Sequence, residues 1–313
     1  MNSVFSRILK ALCVVTAVAS LSACGGASST VNPFVPTRVI GLGDAYNDVG
    51  SDNSGHAPFT VRGTGEVSTV VEQVAALFGV GSSGTFVGAV TYTNLPASGV
   101  FSYAVGGALI NSGADSLADQ IVSLSADVGG AFTSSDLIVI AAGTQDIKAA
   151  YSTSGAETAA GLLEAQVKIL LGKGAKHILI LQPLELSVTP YARANNIAVD
   201  VTLSPTVKFN TKISSELYDY VSRQGLSYNP VIYGSAFSSI FNTYAQLTAY
   251  AEFSTSTQTP YCPAPTTLTG CTQTLNDSTV YDTTLFADNL NLTPAGNRWV
   301  AQKLYDATAQ GWR

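Results

Sequence analysis

The chain has 313 residues, 15 of them basic and 21 acidic, for a formal charge of −6, and only 12% are charged. So few cations exclude nucleic acid as a partner, because phosphate neutralisation needs clustered Lys and Arg. Abundant Gly, Ser, Thr and Ala with little charge suit an envelope protein, and the length suffices for one large domain.

The N-terminus reads as an export signal. Arg7 and Lys10 precede the apolar run ALCVVTAVASL, which ends at small residues. That run, about 11 residues long, is too short to span a bilayer. The stretch LSAC, Leu21 to Cys24, resembles a bacterial lipobox, which implies cleavage before Cys24 and lipid attachment to it. Residues 1–23 are therefore expected to be a lipoprotein-type signal peptide. Residues 24–36, rich in Gly, Ser and Pro, form a lipid-anchored tether, and 37–313 a single domain. Loss of Arg7 and Lys10 takes the formal charge to −8. The expected location is the bacterial envelope, on its periplasmic or cell-surface side, with acyl chains as the membrane contact.

The domain opens with a strand in TRVIGLG from Thr37, ending in the turn GDAYNDVG. In EVSTVVEQVAALF, residues Val67, Val70, Val71, Val74, Leu77 and Phe78 recur at three and four and predict an amphipathic helix. A weaker strand, VFSYAVGG from Val100, precedes the strands DLIVIAAG from Asp136, KHILILQ from Lys176 and PVIYG from Pro230. Their near-continuous apolar character predicts burial on both faces. Ser204-Pro205 and Thr293-Pro294 read as N-cap and first-turn proline. The first opens a helix carrying Ile213, Leu217 and Val221, the second one carrying Trp299, Val300 and Leu304.

Cys262 and Cys271 lie in the loop YCPAPTTLTGCTQ, where an oxidising envelope predicts a local disulfide, two free thiols being the alternative. With no His, Asp or Glu beside them, a metal site is not expected there. Asp48, Asp146 and Asp288 do not show the spacing of a calcium site either, so neither metal nor cofactor is expected.

Strand and helix alternate, which predicts a three-layer α/β/α domain with a central parallel sheet. Ligands of such sheets sit at the carboxyl ends of the strands, where GDAYNDVG, GGA (Gly106 to Ala108) and GTQD (Gly143 to Asp146) would converge.

These blocks carry a resemblance. From about Val39 to the C-terminus the chain resembles the GDSL, or SGNH, hydrolase family of esterases and lipases, whose fold is flavodoxin-like. The family's Gly-Asp-Ser-x-x-Asp-x-Gly is matched by Gly43, Asp44, Asn47-Asp48 and Gly50, with Ala45 at the serine position. The family's second glycine block appears as SYAVGGA, which implies an oxyanion-hole N–H from Gly107 beside that of Ala45. Its Gly-x-Asn-Asp appears as GTQD, with Gly143 and Asp146 in frame and Gln145 at the oxyanion-hole amide. Its Asp-x-x-His appears in DNLNLTPAGN, with Asp288 at the triad acid and Asn291 at the base. The resemblance also implies that Asp44 holds the turn through backbone hydrogen bonds.

Acyl transfer by this route needs a hydroxyl nucleophile, a base and an acid. A methyl group cannot attack a carbonyl and an amide has no titratable nitrogen near neutral pH, so only the acid remains. Tyr46 and Ser51 lie near the turn but not at its tip. Of the two histidines, His177 reads as structural, and His56, in SDNSGHAPF, is the one candidate for a displaced base. The leading expectation is a catalytically impaired lipoprotein that uses the groove to bind an ester, acyl or glycan-like ligand. The alternatives are an active ester hydrolase with a non-standard site and a purely structural envelope protein.

Overall fold

The structure is a computed structural model. It describes residues 34–50, 60, 69–81, 84–87, 94–129, 131–226, 229–234, 259–262, 283–309 and 312. Cys24, Ser51, His56, Val67 and Cys271 lie outside the described residues. Phe34–Arg313 forms one compact unit.

Six parallel strands form, most of them from apolar runs with β-branched residues: β1 (Arg38–Gly43), β2 (Gly84–Phe86), β3 (Gly99–Ser102), β4 (Asp136–Ala141), β5 (Ile178–Leu181) and β6 (Val231–Gly234). Their order is β2-β3-β1-β4-β5-β6. Without the three-residue β2, the remaining order in chain sequence is 2-1-3-4-5, the flavodoxin-like arrangement, whose switch point falls where β1 lies between β3 and β4. Arg38 stands opposite both Gly99 and Asp136.

Alternation along each strand sends successive side chains to opposite faces. Ile40, Leu42, Ile138 and Ile140 join one core with α2 (Leu117–Asp127), α4 (Thr153–Gly172) and α6 (Pro205–Arg223). Val39, Leu137 and Val139 join the other with α1 (Val70–Leu77) and α7 (Pro294–Thr308). The short helices α3 (Thr144–Ala149) and α5 (Pro190–Ala194) follow β4 and β5. Among the described residues no helix is long and apolar enough to cross a membrane.

The expected caps are present. Ser204 accepts from the Val207 N–H at the start of α6, and Thr293 accepts from the Gly296 N–H at the start of α7. On α6, Ile213 and Leu217 are buried and Val221 partly so; on α7, Val300 and Leu304 are fully buried.

The amino ends of the strands are tied closely. Arg38 makes a bidentate pair with Asp136 (Nε–Oδ1 2.6 Å, Nη2–Oδ2 2.7 Å) and also reaches the Leu95 carbonyl. Phe34 stacks on His177 at 3.6 Å between centroids, and its N–H bonds the Trp312 carbonyl at 2.7 Å. Burial against these rings, with Lys176 nearby, lowers the His177 pKa to about 4.

Candidate functional site

Four loops meet at the carboxyl ends of β1, β3 and β4. The first is the turn after β1. Gly43 takes φ +107°, and a Cβ there would collide with the Ala141 carbonyl oxygen. The Gln120 side chain reads this glycine as a neighbouring strand would: its Oε1 accepts from the Gly43 N–H at 2.7 Å and its Nε2 donates to the Gly43 carbonyl at 2.9 Å. Asn47 folds back beneath the turn, its Nδ2 donating to the Leu42 and Val139 carbonyls, both at 2.9 Å. Asp48 accepts from the N–H of Gly50 (2.9 Å) and from that of Gly106 (2.6 Å), which binds the second loop to the first. Gly50 takes φ +71° where the turn leaves.

Asp44 keeps one backbone bond of the turn-holding role implied for it and is otherwise weakly bonded. It is 1% exposed, accepts only a long bond from the Tyr46 N–H (3.5 Å), and its Oδ2 has no partner. Desolvation, reinforced by the Asp146 and Asp48 charges, raises its pKa to about 8. Asn47, Asp48 and Gln120 supply the shorter bonds to the turn backbone. Gln120, 77 residues from Gly43 along the chain, has no local signal that sequence reasoning could have found.

The third loop starts at Gly143, whose φ of +105° caps α3 and which lies so close to Phe209 that an added Cβ would sit 2.5 Å from its ring. Asp146 accepts from the Ile110 N–H at 3.2 Å, joining this loop to the second, and burial raises its pKa. Gln145 is half-buried on the rim. Gly107, at φ +88°, is exposed with open space around it.

The fourth loop precedes α7. Phe286 and Leu292 form an antiparallel bridge, and between them Asp288 Oδ1 accepts from the N–H groups of Leu290 (2.7 Å) and Asn291 (2.6 Å). Asp288 Oδ2 accepts from Asn291 Nδ2 at 2.9 Å. The Tyr46 hydroxyl donates to the Leu290 carbonyl at 3.2 Å and so fastens this loop to the first. Burial, with Asp44 and Asp288 nearby, holds the Tyr46 phenol well above its ordinary pKa.

All four sequence blocks thus come together at the switch point of the sheet. A family model described as GDSL-like Lipase/Acylhydrolase matches residues 39–304. The chain belongs to the GDSL-like lipase/acylhydrolase family. No curated protein matches it.

In this GDSL-like chain the first turn carries Ala45, buried at 5% exposure. Asp288 and Asn291, both on the fourth loop, are thus joined side chain to side chain as well as through the backbone. Among the described residues no group of three or more His, Cys, Asp or Glu is placed to hold a metal ion.

Proposed function

We propose that this GDSL-like chain is a non-hydrolysing, exported lipoprotein that uses the cleft at Ala45, Gly107, Gln145 and Asn291 to bind an ester, acyl or glycan-like ligand. The observation that carries this reading is the Asn291 Nδ2 to Asp288 Oδ2 bond of 2.9 Å. A triad acid works by fixing the tautomer of an imidazole that then accepts a proton. Here the acid holds a group that cannot accept one near neutral pH, and the neighbouring position offers only a methyl group. The persistence of the surrounding turn and loop bonds supports a retained binding role. Export, lipid on Cys24 and a Cys262–Cys271 disulfide belong to the same proposal. They rest on the leader and lipobox-like LSAC stretch, and on the burial of Cys262.

The deciding measurement is hydrolysis of short and medium acyl p-nitrophenyl esters by the purified chain beside its Asp288→Ala variant. Equal, background-level rates are expected. A clear rate that the variant loses would overturn the reading. In the complementary test, the double change Ala45→Ser with Asn291→His should introduce measurable esterase activity, because Asp288 already holds the side chain at position 291 from the correct side. Continued silence in a folded double variant would mean that the cleft no longer presents an acyl group to position 45.

A further inference from the structure

Four groups around the cleft have no hydrogen-bond partner among the described residues: the N–H of Ala45, the N–H of Gly107, the side-chain amide of Gln145 and Oδ1 of Asn291. The orientation of Asn291 is fixed by chemistry. Asp288 Oδ2 is a carboxylate acceptor, so the atom facing it must be the NH2 end of the amide, and the carbonyl end must point elsewhere. An imidazole at this position could offer a proton or a lone pair. The asparagine, with its nitrogen committed to Asp288, offers a lone pair alone.

Two fixed backbone donors and the Gln145 amide therefore accompany one fixed acceptor, on four loops that Asp48, Asp146 and Tyr46 tie together. A ligand that satisfies such a set needs an acceptor oxygen and a donor nitrogen on the same carbon. We propose that the cleft recognises a secondary amide, an N-acyl group, with its carbonyl oxygen received by the N–H groups of Ala45 and Gly107 and the Gln145 amide, and its N–H donated to Asn291 Oδ1. This rests on the reading of the cleft as a non-hydrolysing binding site.

The competing chemistries fit less well. An ester carries oxygen where the amide carries N–H, so its lone pairs would face Oδ1 and leave that acceptor desolvated and unpaired. Sites built to hydrogen-bond a substrate donor reject analogues that lack it far more strongly than apolar pockets reject a missing methylene. A carboxylate makes the same lone-pair clash and would approach the carboxyl groups of Asp48, Asp146 and Asp288 on the surrounding loops. The N-acyl group could belong to a sugar or to an aliphatic chain.

Titration of the full chain by calorimetry with two matched pairs tests the proposal and separates those sources. One pair is N-acetylglucosamine and 2-O-acetylglucose; the other is N-methyloctanamide and methyl octanoate. The expected result is an amide at least about tenfold tighter than its ester in one pair, that pair naming the source, with the ratio falling to near one in Asn291→Leu and Asn291→Ala. The ratio is taken within each variant, so a loss of folded material cancels. Equal affinity for amide and ester, a preference that survives both substitutions, or no binding of either amide overturns the proposal. Equal binding without turnover would leave the non-hydrolysing reading standing, whereas ester consumption abolished by Asp288→Ala would overturn both.

Discussion

The two ends of the sheet are built on opposite terms. At the amino ends, charge meets charge and ring meets ring: Arg38 with Asp136, Phe34 with His177 and Trp312. At the carboxyl ends, polar groups are left without partners among the described residues: the buried Asp44 Oδ2 and Asn47 Oδ1, the N–H of buried Ala45 and the N–H of exposed Gly107. An unpaired buried polar group costs about 1–3 kcal/mol, so a protein keeps several together only where another requirement outweighs stability. The carboxyl ends are also where the four sequence blocks meet.

The largest change expected comes from breaking the satisfied end. Asp136→Ala would leave the Arg38 guanidinium buried and uncompensated, and a loss of about 3–5 kcal/mol is expected by denaturant unfolding. The double change Arg38→Met with Asp136→Leu should recover most of that loss. Failure to recover would mean that the pair specifies the β1–β4 register as well as satisfying charge.

Asp44 sharpens the comparison at the other end. Its carboxyl has a folded pKa of about 8 against 3.8 when unfolded. Between these values the folded chain holds a proton that unfolding releases. The contribution of this group is therefore fully present below about pH 4, declines as pH rises, and is lost above about pH 8. Asp44→Asn keeps the shape and removes the titration. The melting-temperature difference, variant minus parent, should accordingly grow more positive from pH 4 to pH 8. A pH-independent difference would show that Asp44 stays ionised in the fold.

The smallest effect expected is that of Tyr46→Phe, which deletes the 3.2 Å bond to the Leu290 carbonyl while leaving the ring buried. A loss of about 1 kcal/mol is expected by thermal unfolding. Hydrogen exchange at the Leu290 and Asn291 amides should accelerate more than at the strand amides, because the loop would lose its tie to the first turn.

Much of this architecture is legible in the sequence. The strands at Arg38, Asp136 and Ile178 announce themselves because both faces are buried, and the helices at Pro205 and Pro294 because a capping hydroxyl precedes a proline. The second strand, Gly84–Phe86, is only three residues of mixed character and offers no apolar run. The helices Leu117–Asp127 and Thr153–Gly172 are diluted with Ser, Ala, Gly and Thr, and their apolar stripes are correspondingly faint. The run from Val100 ends as a strand at Ser102, where the Ser102 hydroxyl turns to donate to the Asn47 carbonyl and the chain leaves the sheet.

At the site the motif frame is legible and its support is not. Nothing near Gln120 announces that it will act as a strand for Gly43. Asp44 invites the reading of a turn-holding carboxylate; it accepts a long bond from the Tyr46 N–H, and the bond that Asn47 adds across to the Val139 carbonyl is not announced by the motif. The bonds of Gln120 to Gly43 and of Asn47 to Val139 join segments far apart in the chain, which local spacing cannot encode.

The bond between the Phe34 N–H and the Trp312 carbonyl places the first and last described residues side by side at the pole opposite the cleft. A short linker between them would close the unit into a ring that could be reopened at another surface turn, such as the one at Gly225 after α6. A permuted chain of this kind would keep every loop of the cleft in its present order around the sheet, with both new ends away from the carboxyl ends of β1, β3 and β4.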